Sequence, residues 1–394
     1  MTLKDSIKYA FTAIPTVLSQ YAPRTRNLIL FGAWFGKKYA DNSKALYLYC
    51  LQHMPDKKII WVTKSKNVYT ELKDSKMPVV MYNSLSGIYY QLRAGIVVYC
   101  TGSNDLFSRL LGGAVHINLW HGVGGGKKIG FDADVYDTEI SLKNKLLQDY
   151  AFKKTYYLAT SLEMKKVFMS AFHVPSNHFI YAGQPRNDFF YDSRYIPTSY
   201  SEDLFNGKKV VLYLPTHRKE GKKKLNCSEL FDLRRLNSLC EKYECLFVIK
   251  KHFYHSKEVE KLEDYSNILD LTNNLDIDTN ELLKRADILV SDYSSVTADF
   301  LLLDRPIIYY CFDLQNYLSE DRDVYWSYDS ITPGPKVQDY DELQKTLVAA
   351  LSGKDEYRKD RSRVLDMFYS PDSRCKASPL IASQIEKIMG ELEC

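Results

Sequence analysis

The 394-residue sequence has no long apolar run, no paired-cysteine motif and almost no excess of charge of either sign. No apolar run approaches the roughly 20 residues that a membrane-crossing helix needs. The eight cysteines form no C-x-x-C pair and no Cys/His spacing typical of zinc, which favours a reduced cytosolic protein. Lysine and arginine number 53 against 49 aspartates and glutamates, and a net charge of +4 is too small to indicate nucleic-acid binding.

Several common catalytic signatures are also missing. The sequence contains no H-E-x-x-H metalloprotease motif, no G-x-S-x-G nucleophile elbow and no G-x-G-x-x-G dinucleotide fingerprint. The segment from His121 to Lys128 does not match the Walker motif G-x-x-x-x-G-K-[ST] either. The first glycine of the motif would fall on His121, and Lys128 occupies the position of the Ser or Thr that binds magnesium. We therefore expect a site that requires neither a metal ion nor an organic cofactor.

The composition that remains is that of a globular protein, with 45% hydrophobic and 26% charged residues over a length that suits two domains. Apolar, β-rich runs alternate with helix-like segments, and this pattern restarts after a polar stretch that ends near Gly207. The predicted strands are residues 27–31, 58–62, 94–99, 115–120, 179–182, 209–214, 245–250, 286–290 and 306–310. Near-continuous apolar strands separated by helices indicate parallel sheets covered on both faces.

The sequence thus predicts two doubly wound, Rossmann-like α/β domains. The predicted organisation is an N-terminal amphipathic segment at 1–26, a first domain at 27–190, a second domain at 205–365 and a C-terminal helix at 366–394. Ligands bind beyond the carboxyl ends of the strands in such sheets, so we expect an interdomain cleft.

The N-terminal segment places apolar residues at roughly helical spacing. They are Leu3, Ile7, Phe11, Ile14, Val17 and Leu18. Lys4 and Lys8 lie among them, and Arg24 and Arg26 follow. Two interpretations stay open: a helix that lies on a membrane surface, or a helix packed on its own domain, which the thin basic face favours.

A hydroxyl-rich turn lies between the apolar run at 286–290 and a helix predicted at 298–303. Its residues are Ser291, Asp292, Tyr293, Ser294 and Ser295. A helix N-terminus that carries hydroxyl groups and backbone N–H donors favours a phosphate. An ordinary Asp/Ser helix cap is the alternative.

A glycine-rich loop follows the predicted strand that ends at Trp120. It reads His121-Gly122-Val123-Gly124-Gly125-Gly126-Lys127-Lys128-Ile129-Gly130. Glycines let the backbone approach a ligand closely, and lysines supply positive charge for an anion. The strand end, the glycines and the lysines together favour a functional over a structural role for His121.

The second domain offers counterparts at its own strand ends. His217 and Arg218 follow the strand at 209–214, and Lys251 and His252 follow the strand at 245–250. Arg218 suits a phosphate clamp. Two histidines, basic groups, hydroxyls and glycines around a cleft suit transfer from an activated diphosphate, in which one histidine removes a proton from an acceptor hydroxyl.

Seven motifs occur in a characteristic order. They are Gly36–Asn42, Trp120-His121-Gly122, Gly183-x-Pro185-Arg186-Asn187-Asp188, Pro215-Thr216-His217-Arg218, Ser291–Ser295, Arg305–Tyr309 and Pro333-Gly334-Pro335. This set resembles the CDP-glycerol glycerophosphotransferase family of teichoic-acid and capsule synthesis, over about residues 27 to 370. The resemblance implies a GT-B architecture in which the second domain holds most of the donor.

The resemblance also implies a reaction and roles for several residues. A polyol phosphate passes from CDP-glycerol or CDP-ribitol to a hydroxyl of a lipid-linked or polymeric acceptor, and CMP is released. His121 is implied as the base, with Gly122, Gly124 and Lys127 in an acceptor-side loop. His217 is implied as the partner that contacts the donor phosphates. The donor-diphosphate residues are implied to be Ser291, Asp292, Tyr293, Ser294 and Ser295, with Arg218, Lys251 and His252 in or next to family motifs.

The family works at the inner face of the cytoplasmic membrane, which implies a peripheral location and gives weight to the membrane interpretation of the N-terminal segment. One departure is that many members continue Trp-His-Gly with Thr-Pro, whereas Val123-Gly124-Gly125-Gly126 follows here. We expect this loop to be more flexible, and the identities of the acceptor and the polyol stay open.

Two alternatives also stay open. A GT-B glycosyltransferase would use a nucleotide sugar and hold its ribose with a carboxylate such as Asp299 or Asp313. A non-catalytic scaffold of envelope assembly would need neither His121 nor His217.

Overall fold

A computed structural model describes residues 3–124, 126–133, 139–192, 201–216, 225–251, 262, 264–274, 277–315, 317 and 323–391. The chain divides into two compact units. The first unit comprises Met1–His121, Ile129–Ile196 and Tyr369–Cys394, and the second comprises Gly122–Lys128 and Pro197–Phe368.

Each unit contains one parallel β-sheet. The strands are β1 Thr25–Phe31, β2 Lys58–Thr63, β3 Val79–Met81, β4 Ala94–Tyr99, β5 Val115–Asn118, β6 Lys154–Ala159, β7 Phe179–Tyr181, β8 Lys209–Leu214, β9 Cys245–Ile249, β10 Ile268–Asp270, β11 Ile288–Ser291, β12 Ile307–Tyr310 and β13 Lys336–Val337. The first sheet has the order β3-β2-β1-β4-β5-β6-β7, and the second has the order β10-β9-β8-β11-β12-β13. Both follow the Rossmann arrangement, in which the strand order reverses beside the first strand and leaves a binding crevice there.

Helices connect these strands. They are α1 Leu3–Ser19, α2 Asp41–His53, α3 Lys66–Asp74, α4 Leu85–Arg93, α5 Glu139–Ala151, α6 Leu162–Phe172, α7 Asp188–Tyr191, α8 Cys227–Leu230, α9 Leu233–Lys242, α10 Thr279–Arg285, α11 Val296–Phe300, α12 Tyr328–Ile331, α13 Tyr340–Leu351, α14 Arg358–Phe368 and α15 Ala377–Glu391. Within the described residues, no helix has the length and apolar character that crossing a membrane requires.

Long apolar runs make up most of the strand residues, because both sheet faces are buried. In β1, Ile29 and Phe31 belong to one buried cluster, while Leu28 and Leu30 belong to the cluster on the opposite face. All four are at most 2% exposed. Burial of such a side chain contributes about 1.5–3 kcal/mol, so the continuous apolar run is what a two-sided sheet requires.

The C-terminal segment differs from the predicted single helix at 366–394. Helix α14 ends at Phe368, and α15 begins at Ala377 after a 3₁₀ turn at Pro371–Ser373. Asp188 accepts hydrogen bonds from the backbone N–H groups of Ala377 and Ser378, both at 2.7 Å, and so fixes the start of α15. Ile381 and Ile385 then join the core of the first unit.

Helix α1 packs on the first unit through small polar residues. Thr16 and Ser19 are 3% and 4% exposed, and Ser19 Oγ accepts a hydrogen bond from Gly112 N at 2.9 Å. Arg24 donates to the carbonyl oxygens of Gln91 and Ser19, both at 2.8 Å, and burial lowers its pKa to about 10. Arg24 is therefore a structural anchor for the end of α1, not a surface cation.

Candidate active site

The His121 loop begins with a sharp turn after β5. Trp120 has a φ of +55°, and its N–H donates to Asn118 Oδ1 at 3.0 Å. The carbonyl oxygen of Trp120 accepts a hydrogen bond from Asn42 Nδ2 at 2.9 Å, at the start of α2. These bonds fix the backbone from which the His121 side chain projects.

The ring of His121 has a defined tautomer. Its Nδ1 lies 3.1 Å from the carbonyl oxygen of Cys100, just after β4. Because a carbonyl oxygen only accepts, Nδ1 carries the proton and Nε2 carries the lone pair. Burial lowers the pKa of His121, against an opposing effect of the Asp41 carboxylate and the Cys100 carbonyl. The imidazole is thus neutral at pH 7, as a general base must be.

An ion pair holds the same loop from a second direction. Arg186 Nη1 donates to Asp41 Oδ1 at 2.7 Å and to the carbonyl oxygen of His121 at 2.9 Å. Asp41 Oδ2 also accepts from the indole of Trp34 at 3.0 Å, and the rings of Trp34 and Trp120 lie 5.6 and 4.4 Å from the ring of His121. Loops that follow β1, β4 and β5 therefore meet around one histidine at the crevice of the first sheet.

In the second unit, the predicted phosphate turn joins two strand ends. Ser291 Oγ donates to Leu214 O at 2.6 Å. Asp292 Oδ1 accepts from Thr216 N at 2.9 Å and from Thr216 Oγ1 at 2.7 Å. Ser291 and Asp292 are 0% and 1% exposed, so their side chains bind β11 to β8 at the crevice of this sheet.

Ser294 and Ser295 are more accessible. Ser294 lines a pocket with Tyr293 and Tyr317, whose rings stack with centroids 3.7 Å apart. The other residues that line this pocket are Gly124, Gly126, Lys127, Asp292, Thr297, Val324, Trp326, Tyr328, Ile331 and Thr332. Ser295 precedes the five-residue helix α11 without a side-chain capping bond. Ser294 Oγ, however, accepts a hydrogen bond from Val296 N at 3.4 Å, so the turn also supports the start of the helix, as the alternative of an Asp/Ser cap expects.

The glycine-rich loop belongs to this second unit, which differs from its predicted place in the domain at 27–190. The physical reason is a set of backbone bonds: Lys128 N donates to Asp323 O at 2.8 Å, and Tyr325 N donates to Gly126 O at 2.7 Å. Gly124 has a φ of +68°, and a Cβ there would lie 2.7 Å from the ring of Phe368. Gly124 and Gly126 thus serve left-handed backbone, and Gly124 also allows close packing.

Comparison with known proteins places these features in a family. A family model for CDP-glycerol:poly(glycerophosphate) glycerophosphotransferase matches residues 16–387. The chain belongs to this family. The resemblance predicted from the ordered motifs is thereby confirmed, and the protein is a transferase of the teichoic-acid glycerophosphotransferase class.

Two relatives and one solved structure are similar to this glycerophosphotransferase over most of its length. A teichoic acid glycerol-phosphate transferase of Staphylococcus aureus is 29% identical over 386 residues, 93% of this chain and 94% of the relative. A teichoic acid poly(glycerol phosphate) polymerase of Bacillus spizizenii is 28% identical over 387 residues, 93% of each chain. The structure of the wall teichoic acid polymerase TagF aligns with a TM-score of 0.76 at 24% identity, covering 98% of this chain and 96% of that one, and confirms the predicted GT-B fold class.

Four further residues of the second domain were predicted for the site of the glycerophosphotransferase. His217, Arg218 and His252 fall outside the described residues. Lys251 is 3% exposed and donates from Nζ to Leu225 O at 3.1 Å, and it is not among the described residues that line the pocket. A buried ammonium held by a carbonyl stabilises a loop, so the structure does not support the donor-binding role predicted for Lys251.

Asp299 and Asp313 were the two carboxylates considered for binding the ribose of a nucleotide sugar, and both lie against protein groups. Asp299 is 2% exposed, and Asp313 Oδ1 accepts a hydrogen bond from the Tyr293 hydroxyl at 3.0 Å. Among the described residues, no group of three or more His, Cys, Asp or Glu side chains could hold a metal ion.

Sequence reasoning missed the roles of Asp41, Asn42 and Arg186. Asp41, Asn42 and Arg186 fall within motifs that carried the family resemblance, which was the available signal. Their contacts with one another and with the His121 loop span 65 to 145 residues of chain.

Proposed function

We propose that this glycerophosphotransferase moves glycerol phosphate or ribitol phosphate from the CDP-polyol to a hydroxyl of a teichoic acid acceptor, with His121 as the general base. The observation that carries the proposal is the tautomer of His121. With Nδ1–H directed to Cys100 O at 3.1 Å, Nε2 remains to accept the hydroxyl proton.

The proposed reaction forms one P–O bond and breaks another. The acceptor oxygen bonds to the phosphorus that carries the polyol, and the bond from that phosphorus to the bridging oxygen of the diphosphate breaks. CMP leaves with the bridging oxygen. The acceptor proton passes to Nε2 of His121 and then to solvent or to the departing CMP. We assign His217 to the donor phosphates.

The pocket of the second unit is the proposed donor site. Ser294 offers a hydroxyl group. Lys127, which the resemblance assigned to an acceptor-side loop, offers an ammonium group whose Nζ lies 4.4 Å from the ring centroid of Tyr317. Such donors suit diphosphate oxygens, while Trp326 and Tyr328 provide an aromatic wall for the nucleoside. Ser291 and Asp292 hold the turn in this proposal, and Asp292 also lines the pocket.

We further propose that the first unit meets the inner face of the membrane through an apolar surface on α1 and α5. Its members are Phe11, Ile14, Leu18, Tyr21, Leu142, Leu146 and Tyr150, which are between 42% and 74% exposed. The hydroxyl of Tyr9 donates to Lys143 O at 3.2 Å and joins the two helices. Because α1 turns polar Thr16 and Ser19 inward, its apolar side faces outward, as a helix that contacts lipid requires. A lipid-linked acceptor would be reached at this surface.

The test is release of CMP by the purified full-length chain. With a lipid-linked teichoic acid acceptor, we expect CMP from CDP-glycerol or CDP-ribitol and a loss of about 10²–10⁴-fold in His121→Ala, the usual contribution of a general base. The matched control is His53→Ala, an exposed histidine of α2 in the same unit. If no CDP-polyol yields CMP while a nucleotide sugar is consumed, the GT-B glycosyltransferase replaces this proposal.

A further inference from the structure

Asp105 is a fully buried carboxylate that accepts backbone hydrogen bonds on both oxygens. It lies in a 3₁₀ turn, Ser103–Asp105, that follows β4, and it is 0% exposed. Oδ1 accepts from Phe35 N at 2.7 Å, while Oδ2 accepts from Cys100 N at 3.0 Å and from Thr101 N at 2.8 Å. The Thr101 hydroxyl also donates to Oδ1. Such burial of a carboxylate is costly unless it is bonded in this way.

One peptide group connects this carboxylate to His121. The peptide between Cys100 and Thr101 offers its N–H to Asp105 at 2.8 Å and its carbonyl oxygen to Nδ1–H of His121 at 3.1 Å. We propose that Asp105 is a positioning residue of His121 that acts through this peptide. The three groups form a chain of hydrogen bonds: carboxylate, peptide and imidazole.

The chemical consequence follows from cooperativity in such chains. A carboxylate that accepts from the peptide N–H polarises the peptide and makes its carbonyl oxygen a stronger acceptor. The stronger acceptor fixes the Nδ1–H tautomer and stabilises the imidazolium that forms when Nε2 takes a proton. In serine proteases an aspartate does this by direct contact, whereas here a peptide group lies between.

Several charged groups besides Asp105 act on the pKa of His121. Asp41 raises and Arg186 lowers the pKa of His121, and these two groups pair with each other at 2.7 Å. Asp105 also raises the pKa of His121. Lys64, after β2, faces Asp105, and its Nζ donates to Asn104 O at 2.6 Å. Asp105→Asn is therefore expected to lower the pKa of His121 and to weaken its preference for the Nδ1–H tautomer.

The inference rests on the proposed role of His121 as base, and its test separates the two. The full-length chain, with ¹⁵N-labelled histidine, is titrated by NMR, and the His121 signal is the one that His121→Ala removes. We expect Nδ1–H in the wild type, and in Asp105→Asn a lower pKa and a fall of about tenfold in CMP release, less than the loss of the base itself.

The matched control is Asp188→Asn, which neutralises another buried carboxylate of the same unit that accepts two backbone N–H bonds at 2.7 Å. Asp188→Asn should destabilise the unit and leave the pKa of His121 unchanged.

An unchanged His121 pKa in folded Asp105→Asn contradicts the positioning role of Asp105, even if His121→Ala abolishes CMP release. If Asp105→Asn does not fold, the titration of the wild type still tests the positioning role of Asp105. An Nε2–H tautomer in the wild type contradicts that role without any variant. Full activity in His121→Ala would instead reject the proposed base while the NMR result stands.

Discussion

His121 divides two tasks between its two ring nitrogens. Nδ1–H is held by Cys100 O at 3.1 Å, and Nε2 is the nitrogen that can take up a proton. Burial lowers the pKa of the ring, so the neutral form persists below the ordinary histidine range. The catalytic role therefore has a pH signature that belongs to this one residue.

We expect kcat/KM for CMP release to decline on the acid side only below pH ~6.5, the ordinary histidine pKa. The sign follows from the active form: neutral His121 accepts the proton, and its fraction falls as pH drops through a pKa that burial has lowered. A pH series of kcat/KM measures this, with thermal unfolding at each pH as the control. A decline that begins above pH ~6.5 in the folded enzyme would contradict the assignment.

Gly124 gives a second prediction at the residue scale. Its φ of +68° and the 2.7 Å distance from an added Cβ to Phe368 both oppose a side chain, and it lines the proposed donor pocket. Gly124→Ala should raise KM for the CDP-polyol, because either the loop or Phe368 must move. We expect about 1–2 kcal/mol of lost stability from the left-handed backbone alone.

Gly207→Ala is the matched control, since Gly207 also has a φ of +68° but open space around its added Cβ. It should cost similar stability, measured by denaturant unfolding, with KM unchanged. Equal KM values for Gly124→Ala and the wild type would show that the loop packing does not shape the donor site.

At the scale of elements, all but one of the interior strands could be predicted from their apolar sequences. Three edge strands and one interior strand could not. Strands such as β4 and β8 are buried along nearly their whole length, so their sequences are continuously apolar. Strands β3, β10 and β13 have only two or three residues at sheet edges, too short for a pattern. β6 was also missed, because its first residues are polar and partly exposed.

The same contrast holds for the site. The His121 loop and the Ser291–Ser295 turn were predictable, because ligands bind where parallel strands end and these residues directly follow strands. The partners of His121 were not. Arg186 meets Asp41 across 145 residues of chain, and Asp105 bonds Phe35 N across 70, so only the folded sheet brings them together.

The outward face of α1 yields a prediction for a whole element. The double variant Phe11→Ser/Leu18→Ser should reduce sedimentation with phosphatidylglycerol vesicles by about tenfold, because each residue removes large apolar area from the contact. Leu85→Ser is the control, since Leu85 is 90% exposed on α4 of the same unit. Equal vesicle binding by the double variant and the control would reject α1 as the membrane contact.

Each of the two units is buried around its own sheet, and the end of the chain belongs to the first unit. Ile385 of α15 is 0% exposed in the cluster that contains Ile29 and Phe31, whereas Leu347 of α13 is 0% exposed in the cluster of the second unit. Side chains that pack in the same core stabilise one another however far apart they lie along the sequence. The last helix should therefore stabilise strand β1, which precedes it by more than 300 residues, and strand β4 beside it.

Ile385→Ala tests this organisation. A cavity in a packed core costs about 2–5 kcal/mol, so amide hydrogen exchange should accelerate in β1 and β4 while β8 and β11 keep their protection. Leu347→Ala is the reciprocal variant, with faster exchange expected in β8 and β11. Because the two variants remove similar apolar volume, a uniform loss of protection from either one would mean that the units unfold together, and would contradict two separate cores.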